Sequence, residues 1–112
     1  MPMSLNEAAF RKLVAIYDGA GAGSERQVAA IAAIGRCGGD PAVAKLIKIY
    51  DGAGAGSARQ TEAIKALGTA GGQTALQKLV SIYEGAGSGS ERQIAAIWAI
   101  GEIGRHGRIE LK

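Results

Sequence analysis

Apolar residues recur along this chain at helical spacing, and nowhere do they alternate as they would in a strand. Phe10, Leu13, Val14 and Tyr17 fall on one helical face. Alanine-rich apolar runs fill Val28–Cys37, Thr61–Ala70 and Ile94–Ile103, and alanine is the strongest helix former. Start signals stand just before these runs. Ser4 and Glu7 form a capping box that places the first helix start near Leu5. Ser24/Gln27, Ser57/Gln60 and Ser90/Gln93 repeat the device ahead of the alanine-rich helices. Stop signals follow the runs. Asp18-Gly19 closes the first helix, with Gly19 expected in the left-handed C-terminal position, and Gly38, Gly71 and Gly104 are expected to end the second-type helices. Asp40-Pro41 predicts a restart with Asp at the N-cap and Pro in the first turn, and the next restart falls near Thr74. Six helices of about 10–14 residues result.

One stretch accounts for this regularity. It opens with Lys-Leu and an apolar run, then Ile-Tyr-Asp/Glu, a glycine-rich loop ending in Ser, x-Arg-Gln, and a second apolar run. It occurs as Lys12–Ala44, Lys45–Gln77 and again from Lys78 to near the C-terminus, with the lysines 33 residues apart. A helix of this length is marginal alone, so each pair must bury its apolar stripe against a neighbouring pair. The predicted fold is all-α: a short α-solenoid of three stacked helical hairpins in a single domain, with units at 5–38, 39–71 and 72–105 and a tail at 106–112. Ile109 aligns with Leu76, as though a fourth unit began there.

The composition, 47% hydrophobic with five aromatics, implies a core built from Ala, Ile, Leu and Val. The net charge is +3, its basic residues spread along the chain, which gives little support to nucleic-acid binding. A single cysteine, Cys37, rules out an internal disulfide framework. No apolar run approaches the ~18 residues of a membrane span. Met1–Leu5 lacks the basic start and apolar stretch of a secretory leader. A cytoplasmic, reducing setting without membrane contact is the expectation.

Candidate chemistry is sparse. The loops Gly19–Ser24, Gly52–Ser57 and Gly85–Ser90 invite a phosphate-binding reading, since backbone N–H groups at a helix N-terminus attract anions. They end in Gly-Ser-Glu or Gly-Ser-Ala rather than Gly-Lys-Ser/Thr, and a helix rather than a strand precedes them. They are read as flexible helix connections. Asp18, Asp51 and Glu84 at helix C-termini and Arg26, Arg59 and Arg92 in first turns each oppose the helix dipole, so pairing across the loop is one expectation and copied solvated charge the other. Gly35, Gly68 and Gly101 inside the second helices imply close helix approach. Cys37 aligns with Ala70 and Ile103 and reads as a buried small hydrophobe. Tyr17, Tyr50 and Tyr83 read as core residues at contacts between units. His106 is the only histidine, and no ligand set accompanies it. No catalytic, cofactor-binding or metal-binding residue is assigned.

The segment Gly39-Asp40-Pro41-Ala42-Val43-Ala44-Lys45-Leu46-Ile47, together with the Ala-Ile-Gly or Ala-Leu-Gly ends of the second helices, resembles the short HEAT-like repeats related to phycobilin lyases and used in designed alpha-repeat binders. The resemblance covers nearly the whole chain but departs from the family in the long Gly-Ala loops. It implies a helical-repeat fold and leaves activity open, because that family includes lyases, scaffolds and engineered binders. A natural and a designed origin are both compatible with it.

Corresponding second-helix positions differ in a telling way: Ala29, Glu62 and Ala95; Ala32, Lys65 and Trp98; Arg36, Thr69 and Glu102. Sites that accept charge in one copy should face solvent, and spacing of three and four places them on one stripe per helix. The nine residues together are the predicted partner-binding surface, with Trp98 as its anchor. The expected function is a non-enzymatic scaffold for protein–protein interaction or self-assembly. Its partner would be another protein or a second copy, as a dimer or a domain-swapped dimer. The alternatives are a bilin- or small-molecule-handling protein, by resemblance, and an anion or nucleic-acid binder through the loops.

Overall fold

The computed structural model describes residues 3–107, and these form six α-helices with no strand among them: α1 (Leu5–Gly19), α2 (Glu25–Cys37), α3 (Gly39–Gly52), α4 (Ala58–Ala70), α5 (Gln73–Gly85) and α6 (Glu91–His106). Each odd-numbered helix lies against the even-numbered helix that follows it. The even helices form a row in which α4 packs against α2 on one side and α6 on the other. The result is a slab of 41 × 40 × 17 Å.

The core follows from this order. Ile31, Ile34, Leu46, Ile64, Leu67 and Leu79 are fully buried. α4, flanked on both sides, buries Gln60, Ala63, Ile64, Ala66, Leu67 and Gly68. α6, flanked on one side, fully buries only Ala96 and Ala99. No residue of α1 is fully buried, although Phe10, Leu13, Val14 and Tyr17 pack on the core as the spacing predicts. Of the three glycines expected at close helix approach, Gly35 and Gly68 sit where α-helices touch, and Gly101 does not: nothing lies within 4 Å of a Cβ added there. A Cβ on Gly35 would lie 2.8 Å from the carbonyl oxygen of Ala66, and one on Gly68 would lie 2.8 Å from Cα of Ala99. Glycine costs a helix roughly 1 kcal/mol against alanine; here it permits backbone-to-backbone approach.

All four serine caps form. The Oγ atoms of Ser4, Ser24, Ser57 and Ser90 accept from the backbone N–H groups of Glu7, Gln27, Gln60 and Gln93. Other local expectations are corrected. Gly19 does not carry the left-handed turn; α1 closes with the Ala20 N–H donating to Tyr17 O in an extended conformation. The positive φ lies at Gly23, Gly56 and Gly89 instead. There the Ser24, Ser57 and Ser90 N–H groups donate back to Gly21 O, Gly54 O and Gly87 O, closing a β-turn with its positive φ at the third residue. The connections are thus built turns, not loose ones. Asp40 is not an N-cap. Gly38 takes that place with φ 67° and no side-chain bond, which leaves Asp40 in the first turn. Gly104 does not stop its helix, which continues to His106. Gly38-Gly39 and Gly71-Gly72 are pairs with positive φ at both members; Gly104 is followed by Arg105, which would be strained there.

The turn geometry gives a direct comparison. Gly54 has no positive φ and an added Cβ meets nothing within 4 Å, whereas Gly56 sits at φ +76°. Gly54→Ala should be neutral or stabilise by ~0.4–1 kcal/mol. Gly56→Ala should cost about 1–2 kcal/mol. Thermal unfolding of the two variants checks both.

Candidate functional site

Five of the nine residues of the predicted stripe, Lys65, Thr69, Ala95, Trp98 and Glu102, line one groove between α4 and α6. Ala29, Arg36, Lys65, Thr69 and Trp98 are exposed, and Ala32, Glu62, Ala95 and Glu102 are half-buried. Lys65 and Thr69 of α4 face Ala95, Trp98, Ala99 and Glu102 of α6 across a groove of about 300 Å³. Trp98 stands 77% exposed, so it does not fold down onto the described part of the chain. Glu102 holds Arg105 at 3.6 Å and the His106 Nε2 at 3.0 Å, both on its own helix.

The glutamine of each x-Arg-Gln motif fastens the turn before its helix, and Gln27 also reaches the preceding helix. Gln27 is buried; its Oε1 accepts from the Gly23 N–H at 2.8 Å and its Nε2 donates to Tyr17 O at 3.3 Å, at the end of α1. Gln60 and Gln93 repeat the bond to Gly56 and Gly89. The Gln27 side chain thereby satisfies a turn N–H and a carbonyl at the C-terminal end of α1. Gln27→Ala leaves the Gly23 N–H and Tyr17 C=O without it and should cost about 1–3 kcal/mol, read as a lower midpoint in urea unfolding.

The expected Asp–Arg pairs do not form. The acids are taken by lysines of the following repeat: Lys45 Nζ lies 3.4 Å from Asp18 Oδ1 and Lys78 Nζ 2.9 Å from Asp51 Oδ1. The same ammonium groups stand over the rings of Tyr17 and Tyr50, at 5.1 and 5.2 Å from the centroids. The arginines reach back instead. Arg26 Nη2 donates to Gly19 O and Arg92 Nη2 to Gly85 O, each at 3.5 Å. A cation set at the C-terminus of the preceding helix is favourable with its dipole, which explains an arginine in a first turn. Arg92 also donates to the Tyr50 hydroxyl at 3.4 Å. The Lys–Tyr–Asp unit between repeats was missed, although the lysine that opens every copy was its signal in the sequence.

Among the described residues no lysine completes that unit in the third repeat. Tyr83 and Glu84 occupy the third tyrosine and acid positions, yet Tyr83 is 41% exposed and Glu84 makes no ion pair among the described residues. Ile97 is 49% exposed, where Ile31 and Ile64 at the same repeat position are 0% exposed. An added Cβ on Gly101 meets nothing within 4 Å.

Two further hollows lie open, one of about 480 Å³ between the end of α4 and the end of α6 and one of about 700 Å³ along α3. The first is lined by Thr69 and His106 among others, and the second by Asp40, Lys45 and Lys48. Among the described residues no group of three or more His, Cys, Asp or Glu is placed to hold a metal ion, and no helix is long and apolar enough to cross a membrane. Cys37 is half-buried at the end of α2, as its counterparts Ala70 and Ile103 are, rather than the buried small hydrophobe expected; its carbonyl accepts from Asn6 Nδ2 at 2.9 Å. Ile109 lies outside the described residues. No family model matches the chain, and no curated protein or solved structure matches it either.

Proposed function

We propose that the chain is a non-enzymatic helical-repeat scaffold, a short solenoid of HEAT-like type, that works by protein–protein contact through the exposed side of α6. The observation that carries this reading is the exposure of α6. Ile97 holds a position that the two preceding repeats bury completely, and Trp98 stands next to it in the open groove. A large apolar residue beside half-buried small ones is the anchor pattern of interfaces. Solvent exposure of such a face is costly at roughly 25 cal/mol per Å², which favours covering it with another protein surface, a second copy included.

Sedimentation velocity and tryptophan fluorescence of the full chain, from micromolar to near-millimolar concentration, test the proposal. Mass should rise with concentration and Trp98 emission should shift to the red on dilution. Trp98→Ala should weaken association and leave helicity unchanged. A single monomeric mass throughout, or a Trp98→Ala variant that melts earlier but associates as before, overturns it.

A further inference from the structure

We infer that the exposed face of α6 receives α2 of a second copy, head to tail, so that the junction between molecules repeats the contact that α2 makes with α4 and α4 makes with α6. The inference rests on the self-contact reading above and gives it a register.

Four features of the two ends match when the internal contact is advanced by one repeat. Gly35 meets Ala66, and Gly68 meets Ala99. The next members of this series are Gly101, whose surroundings are open, and Ala33 on α2, which is half-buried in this chain. Lys45 bridges to Asp18 over Tyr17, and Lys78 to Asp51 over Tyr50. The next members are Lys12, which is exposed, with Glu84 and Tyr83. In the α4/α6 groove Lys65 and Thr69 lie opposite Ala95, Trp98 and Glu102. Advanced by one repeat, Trp98 stands opposite the small Ala29 and Ala32, and Glu102 stands opposite Arg36. The charges at both places are opposite in sign. Each copy offers one donor face and one acceptor face, a heterologous contact that grows into a chain of molecules or closes into a ring.

The contact is tested by sedimentation velocity on the full chain and four preparations: Gly101→Ala, Lys12→Glu, Glu84→Lys, and an equimolar mixture of the last two. Gly101→Ala should raise the melting temperature at low concentration, since alanine is the better helix former and meets no neighbour in the monomer. It should nonetheless weaken association roughly tenfold or more, by forcing backbones apart at the junction. Each charge reversal should weaken association several-fold, at about the scale of a partly exposed ion pair turned repulsive. The mixture should recover it, because each variant's reversed end then meets the complementary end of the other. Circular dichroism shows whether each variant keeps its helices. If the wild-type chain associates but Gly101→Ala and Lys12→Glu leave that association unchanged, the head-to-tail register is wrong and a two-fold contact of α6 on α6, or another face, takes its place; the scaffold reading survives. If the wild-type chain is a monomer throughout, the self-contact reading and the register both fail.

Discussion

Gly68→Ala should be among the most damaging single-methyl changes in this chain. The new Cβ would lie within 2.8–2.9 Å of Cα, Cβ and the carbonyl oxygen of Ala99. Two of those are backbone atoms, so the strain cannot be relieved by turning a side chain. Alanine regains roughly 1 kcal/mol of helix propensity, but overpacking of a tight contact costs typically 1–3 kcal/mol or more. Here α4 and α6 must also separate along their length, which loosens Ala96 and Ala99. A net loss of about 1–3 kcal/mol is expected, or roughly 4 °C in melting temperature for each kcal/mol. Gly35→Ala should behave in the same way against Ala66. Gly101→Ala carries the same chemistry in the same repeat position and should stabilise the monomer by up to about 1 kcal/mol. Opposite signs at 68 and 101 in thermal unfolding at micromolar concentration are the result to look for; equal effects would mean that α6 is packed on both sides.

A larger loss is expected from Ile64→Ala. Ile64 is 0% exposed on α4, which has α2 on one side and α6 on the other. Truncation removes three buried methyl or methylene groups and leaves a cavity between helices that collapse poorly, a change that costs about 2–5 kcal/mol. The corresponding residue of α6, Ile97, is 49% exposed, and Ile97→Ala should cost under about 1 kcal/mol in the monomer. Urea unfolding of both variants measures the difference. A loss at position 97 comparable with that at position 64 would show that Ile97 is covered in solution.

The sequence carried the helices plainly because local signals repeated in phase. The same serine and glutamine at three turns located three helix starts, and those caps are formed. The close contacts were legible at Gly35 and Gly68, but the same reasoning named Gly101, where no neighbour lies within 4 Å. What local reading could not resolve was the pairing between elements. Asp18 and Arg26 lie near each other in sequence and invite a bond across the loop. The fold gives the acid instead to Lys45, which comes over the Tyr17 ring from the next repeat, and points the arginine at the end of the preceding helix. The role of Gly19 was misplaced for a related reason. Several glycines in one loop leave the position of the positive φ to the turn that Ser24 and Gln27 close. Of the candidate surface, charge at positions that are alanine elsewhere marked Glu62 and Lys65, but exposure could not be read residue by residue, since Ala32, Glu62, Ala95 and Glu102 are half-buried. Nor could the difference between an inner repeat and an end repeat, because Ile31, Ile64 and Ile97 are the same residue in sequence and differ only in what lies beside them.

Residue-resolved hydrogen exchange of the native chain at low micromolar concentration tests the proposed array of equivalent pairs with an exposed α6 face most directly. Local opening follows the number of buried contacts that each helix makes. Amides around Ile64 and Leu67 in α4 should exchange slowest, near the rate set by global unfolding. Those around Ile97 and Ile100 in α6 should exchange markedly faster, and should slow as the protein is concentrated. Protection of α6 equal to that of α4 at the lowest concentration, unchanged on concentrating the sample, would contradict an exposed α6 face.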